Sequence, residues 1–128
     1  MNLELNNKRV FISGSTSGIG FATAENLLKE GAEVIINGRT DKSINEAITR
    51  LQNAIPNGKV SGLAADFSDA NSVNQLIEKL GSIDILINNV GIYEPTDFVE
   101  IKDEDWYRLF DVNVMSGIRL SRAVFPKM

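Results

Sequence analysis

A chain of 128 residues, 43% of them apolar, has material for one domain with a real core. Seventeen acidic side chains against thirteen basic ones leave a net charge of −4, which gives no hint of a nucleic-acid footprint or a basic membrane patch. Cysteine and histidine are both absent, which excludes disulfides, thiolate metal sites, thiol catalysis and imidazole bases; no metal site is expected.

The first six residues, Met1 to Asn6, carry no apolar signal region, and no stretch is long enough to span a bilayer. A cytoplasmic protein with no membrane partner is the expectation. Val10-Phe11-Ile12 centres a first strand over Lys8–Ser13. A glycine-rich turn follows, and then a helix over Ile19–Glu30 with Ala22, Ala24, Leu27 and Leu28 as its apolar stripe and Gly31 at its C-terminal cap. Val34-Ile35-Ile36 marks a second strand within Glu33–Asn37, β-branched as in strands buried on both faces. Thr40 and Asp41 can cap a helix whose apolar positions are Ile44, Ala47, Ile48, Leu51 and Ile55, and Pro56-Asn57-Gly58 stops it.

The pattern then repeats. Lys59–Ala65 reads as a third strand, and Ser68 or Asp69 caps a helix carrying Val73, Leu76, Ile77 and Leu80. Gly81 ends that helix, Ile83–Ile87 is a fourth strand, and Asn88-Asn89-Val90-Gly91 interrupts it. A long helix is expected from near Asp103 almost to the end of the chain. About four strands alternating with helices, starting roughly 25 residues apart, give the rhythm of a doubly wound parallel α/β sheet. The repeat is architectural, since the units share no motif, and no linker divides them. In such a sheet ligands bind beyond the carboxyl ends of the strands, where strand order reverses. The glycine turn, Gly38-Arg39, Asp66-Phe67 and Asn88 to Gly91 all collect there.

Of these, Ser13-Gly14-Ser15-Thr16-Ser17-Gly18-Ile19-Gly20 is the richest in chemistry. The first N–H groups of a helix lack partners and carry partial positive charge, so an anion is welcome there. Glycines let the backbone turn and approach such a ligand. By itself the stretch also reads as a Gly/Ser-rich connector. Its spacing, Gly-x-x-x-Gly-x-Gly, lacks the Gly-Lys-Ser/Thr ending of a nucleoside-triphosphate loop, which argues against an ATPase or GTPase.

With these segments together, the chain resembles the N-terminal half of a short-chain dehydrogenase/reductase. That family's Thr-Gly-x-x-x-Gly-Ile-Gly is similar to Ser13-Gly14 through Gly18-Ile19-Gly20, its Asn-Asn-Ala-Gly to Asn88-Asn89-Val90-Gly91, its Val-Asn to Val112-Asn113, and its acidic residue after the third strand to Asp66. The resemblance covers essentially the whole chain and implies one partial NAD(P)-binding Rossmann-type domain over residues 1–128. It implies a cofactor held by Gly14, Ser15, Ser17, Gly18, Ile19 and Gly20 at the diphosphate. Asp66 and Phe67 would meet the adenine, and Asn89, Val90 and Gly91 would line the ribose. Asn88 would tie the central strands together. Asn113, read as a buried amide in an apolar helix, would belong to the catalytic set and help hold a relay water, or else only bond a neighbouring backbone. Turn chemistry alone also accounts for Asp66 and for the Asn-Asn pair.

The end of the second strand bears on the choice of dinucleotide. An NAD site needs a carboxylate there for the ribose 2′-hydroxyl. Asn37-Gly38-Arg39-Thr40 offers none before Asp41, whereas Arg39 can fork onto a 2′-phosphate. NADP(H) is therefore favoured over NAD(H). The family's hydride transfer between nicotinamide and a carbonyl or alcohol needs a Tyr-x-x-x-Lys pair and a serine. Here Tyr93 is followed four residues on by Asp97 and Tyr107 by Asp111, so those groups are expected beyond Met128 and no turnover is expected from these residues alone. The expected partners are a small carbonyl or alcohol substrate and a second copy of the chain. The competing functional reading is a non-catalytic dinucleotide-binding or interaction module. A flavodoxin-like or receiver-type domain would need a different loop or an acidic pocket.

Overall fold

The computed structural model describes residues 1–128. Four strands, β1 (Arg9–Ile12), β2 (Glu33–Gly38), β3 (Lys59–Ala64) and β4 (Ile85–Ile87), form one parallel sheet in the order β3-β2-β1-β4. Their side chains alternate between two cores, as the pleat requires. Val10, Ile12, Val34 and Ile36 point to one face, where α1 (Gly18–Lys29) and α2 (Asp41–Ala54) pack through Ala24, Leu28, Ile44, Ala47 and Leu51. Phe11 and Ile35 point to the other, against Val73, Leu76 and Leu80 of α3 (Ala70–Leu80) and Leu120 and Val124 of α5 (Ser116–Val124). Both faces being covered, the central strands read as continuous apolar runs with no polar alternation.

Capping follows the local chemistry. Thr40 accepts from the Ser43 N–H at the start of α2, so Asp41 lies just inside the helix, and Asp69 rather than Ser68 caps α3 by accepting from the Asn71 N–H. Gly31, at φ +85°, closes α1 with its N–H on the Leu28 carbonyl while Ala32 donates to Leu27. Strands β1 and β4 are shorter than the sequence pattern predicts. Ile83 belongs to the core, and Asp84 locks onto the start of β1, its Oδ2 accepting from the Arg9 N–H at 2.8 Å and its own N–H donating to the Arg9 carbonyl at 2.8 Å.

The expected long helix is three pieces. α4 (Asp103–Phe110) leads through a π-helical turn, Asp111–Met115, into α5. No helix is long and apolar enough to cross a membrane. β4 ends the sheet with its outer edge unpaired. Tyr107, Phe110, Val114 and Ile118, three or four residues apart along these helical pieces, leave an exposed apolar stripe.

Candidate dinucleotide site

β1, β2 and β3 run consecutively to one side, whereas β4 returns to the other side of β1. Strand order therefore reverses between β1 and β4, and a crevice opens beyond their carboxyl ends. A cleft of about 490 Å³ lies there, of a size suited to a bound small molecule. It is lined from four strand ends, by Gly14 and Ser17, by Gly38 and Arg39, by Asp66 and Phe67, and by Asn89 to Ile92, with Arg108 and Val112 closing it from the helices.

Backbone proximity shapes the glycine turn. Gly14 sits at φ +62°, and a Cβ there would lie 2.9 Å from the Val90 Cα. At Gly20 a Cβ would lie 2.5 Å from the Gly14 carbonyl oxygen and 2.6 Å from the Asn89 amide nitrogen, so α1 can seat on the turn only without a side chain. The N–H groups of Gly18, Ile19 and Gly20 open this twelve-residue helix, and Ser17 does not cap it with its side chain. These unpartnered donors and the helix dipole make this end of the helix suited to an anion. Ile19 stands 81% exposed beside them. Ser15 departs from its expected place on the ligand face. It is fully buried, its hydroxyl donates to the Ile12 carbonyl at 2.7 Å, and its N–H donates to the Asn37 carbonyl at 2.8 Å. Its polar hydrogens are spent on the fold, and it supports the turn from below.

The Asn-Asn-Val-Gly segment is bolted to the same turn. The buried Ser13 hydroxyl accepts from the N–H groups of both Asn89 and Val90 at 3.0 Å. The Asn89 amide donates to the carbonyls of Ser13 at 3.1 Å and Gly14 at 2.8 Å. Asn89 thus joins β4 to β1, the task expected of Asn88. Asn88 is instead exposed and donates to the Ser121 hydroxyl at 3.2 Å, because the alternation of β4 turns successive side chains to opposite sides.

At the far end of the cleft, Asp66 Oδ1 accepts from the Ser68 hydroxyl at 2.6 Å and the Ser68 N–H at 2.9 Å, an Asx turn. No protein donor reaches its Oδ2, which remains free to accept a bond. The Phe67 ring is buried in the core below. The Ser68 hydroxyl bond chiefly, then the Ser68 N–H, hold the Asp66 carboxyl below its ordinary value of 3.8 against a small opposing effect of burial, with the Arg39 charge helping least. A depressed folded-state value means this contribution to stability is present above pH 3.8 and is lost as pH falls through the lower folded value. The urea stability difference between the wild type and Asp66→Asn is therefore expected to shrink below about pH 4. A difference that does not change with pH would contradict the Asx-turn account.

Arg39 is exposed and makes no hydrogen bond or ion pair with the protein, although its positive charge is felt at Asp66. The other guanidinium at the cleft, Arg108, is taken up. It reaches Asp105 at 3.3 Å and bonds both oxygens of Glu94, at 3.1 and 2.6 Å; the bond first and then the Arg108 charge hold the Glu94 carboxyl below its usual range.

Asn113 departs from expectation. It is exposed, because the π-helical turn swings it out of the apolar face of the helix. There its Oδ1 accepts from the Ile92 N–H at 2.7 Å and its amide donates to the Ile92 carbonyl at 3.0 Å. These two bonds clasp the loop that follows Gly91 and leave both readings of Asn113, catalytic or backbone-bonding, in place. Two participants escape sequence reasoning. Asn37 looks like the polar end of a strand, and Arg108 like one more surface charge. Only the interruption of Val34-Ile35-Ile36 by an amide could have pointed to the first.

The family described as short chain dehydrogenase matches residues 8–128. The chain belongs to the short-chain dehydrogenase family. Among other short-chain dehydrogenases and oxidoreductases, it is 47% identical to the uncharacterized oxidoreductase YvrD of Bacillus subtilis, an alignment covering 100% of this chain and 49% of that protein. It is 33% identical to a 3alpha-hydroxysteroid dehydrogenase of Mediterraneibacter gnavus, covering 96% of this chain and 51% of the relative. The crystal structure of L-sorbose reductase from Gluconobacter frateurii, complexed with NADPH and L-sorbose, superimposes with a TM-score of 0.91 at 32% identity, over 100% of this chain and 50% of that one. The chain spans about half the length of the short-chain dehydrogenases it matches.

Proposed function

We propose that residues 1–128 form one NADP(H)-binding unit of a short-chain dehydrogenase/reductase. In the reaction, NADPH gives a hydride to the carbonyl carbon of a small molecule while a proton goes to its oxygen, or the reverse. The observation that carries the reading is a cleft that Arg39 lines at one end and that reaches Ser17, the residue before α1. The free N–H groups that begin α1 suit a diphosphate, and an unpaired Arg39 suits a 2′-phosphate. No carboxylate competes at the end of β2. Position 38 is a buried glycine, and a side chain there would meet Thr16 and Ser43, with a Cβ already 2.6 Å from the Thr16 methyl. Asp66 Oδ2 is free for the adenine amino group, and Asn89 to Gly91 supply the ribose wall. The L-sorbose reductase complex with NADPH supports the choice of cofactor by similarity.

Adenosine 2′,5′-bisphosphate is expected to raise the melting temperature of the chain more than 5′-AMP at equal concentration, since the two differ only in the 2′-phosphate and ligand stabilisation grows with affinity. Equal shifts would sink the preference for the 2′-phosphate. The substrate is read as a small carbonyl or alcohol, taken together with catalytic groups that these residues do not supply.

The second reading, a dinucleotide-binding module without turnover, rests on one sequence fact. Neither tyrosine in this chain has a lysine four residues on. Carbonyl-dependent NADPH oxidation is expected from these residues alone under neither reading, so the two are separated by whether it appears when they are combined with a segment bearing a serine and a Tyr-x-x-x-Lys pair. The stripe of Tyr107, Phe110, Val114 and Ile118 supports a homo-oligomer, so size-exclusion chromatography is expected to give a mass above the monomer's. A clean, stable monomer would refute it.

A further inference from the structure

We propose that Asn37 is the positioning residue that sets the shape of the glycine turn and couples it to the Arg39 end of the cleft. The ligand part of this inference rests on the dinucleotide reading above.

Asn37 is 1% exposed near the end of a strand whose buried middle, Val34 to Ile36, is apolar. A bare amide there would be costly, and an isosteric aliphatic would continue the pattern of the strand. Instead both ends of the side chain are used. Oδ1 accepts from the Gly14 N–H at 2.9 Å, and Nδ2 donates to the Leu63 carbonyl at 3.0 Å. The backbone closes the latch. The Asn37 N–H donates to the Ser15 hydroxyl at 2.8 Å, and its carbonyl accepts from the Ser15 N–H at 2.8 Å.

One residue thereby ties the turn after β1 to both β2 and β3. Gly14 sits in the turn at φ +62°, and Asn37 takes up its N–H, the first of the turn. That leaves the donors at the start of α1 as the ones facing an anion. Two residues further on stands Arg39. The same strand end therefore fixes the spacing between the diphosphate donors and the guanidinium.

The test uses Asn37→Leu, with Asn37→Ala as the milder variant, and two readouts. The first needs no ligand. In the wild type, the Gly14 and Ser15 amides are expected to exchange with solvent as slowly as sheet amides. In the variants the Gly14 amide is expected to speed up by at least about tenfold more than that of Phe11. Fast exchange at Gly14 in the wild type, or one common factor for Gly14 and Phe11 in the variants, would overturn the proposal.

The second readout compares NADP with adenosine 2′-monophosphate, which keeps the Arg39 contact but carries no diphosphate. NADP binding is expected to weaken about tenfold or more in the variants, and adenosine 2′-monophosphate binding to change less than about twofold. Parallel losses would show a merely structural residue. A wild type that binds neither ligand would defeat the dinucleotide reading and with it the coupling to Arg39, while the exchange measurement would still decide the role of Asn37 in the turn.

Discussion

Gly20→Val is expected to cost about 3 kcal/mol of folding stability or more, and Gly20→Ala about 1–2 kcal/mol, in urea unfolding. Two effects of opposite sign meet here. Alanine is the better helix former by about 1 kcal/mol, so at a free helical position the substitution would stabilise. At Gly20 the first carbon of any side chain lies 2.5 Å from the Gly14 carbonyl oxygen and 2.9 Å from the Ser15 Cα. These are backbone atoms, held in place by Asn89 and Asn37, and cannot rotate away. Overpacking of about 1–3 kcal/mol, together with damage to the bond from Asn89 to Gly14, outweighs the gain in propensity. Valine adds two methyl groups to the same clash. A stabilised Gly20→Ala would show that α1 does not seat on the turn as described.

The second large effect is on binding. Arg39→Ala is expected to weaken NADPH by at least about tenfold and to leave NADH within about twofold. A charge-assisted, two-pronged bond to phosphate contributes about 1.5–3 kcal/mol, and solvent exposure of Arg39 keeps the expectation at the lower end. Because Arg39 makes no hydrogen bond or ion pair in the protein and its charge is the least of the effects on Asp66, folding stability should change little, so the effect belongs to the ligand. Equal losses for both dinucleotides would remove the argument for NADP(H).

Most of the architecture is legible in the sequence because local chemistry decides it. The runs Val10 to Ile12 and Val34 to Ile36 announce strands buried on both faces, and Thr40, Asp69 and Gly31 mark helix ends through contacts only a few residues away. The lining of the cleft is legible where a motif carries it, as at Gly14 to Ser17 and Asn89 to Gly91. What stays hidden depends on distant partners. The reach of Asn37 to Gly14 and Leu63 spans 23 and 26 residues, and that of Ser13 to Asn89 spans 76. Nothing in the local sequence tells Asn89 from Asn88, and only the strand phase assigns the tie to the former. The π-helical turn is equally invisible, since Asp111 to Met115 has the periodicity of an ordinary helix, yet it turns Asn113 from a buried amide into an exposed clasp on Ile92.

In the proposed complex a dinucleotide lies across the β1/β4 switch point with its diphosphate at the start of α1. Amide resonances followed by NMR during addition of NADPH test it most directly. Gly18, Ile19, Gly20 and Asn89 to Gly91 are expected to shift, with Arg39 and Asp66 following. Arg9, Ser82 and Asp84, at the opposite ends of the strands, are expected to stay still. Shifts centred on that opposite end, or none at a saturating concentration, would contradict the placement.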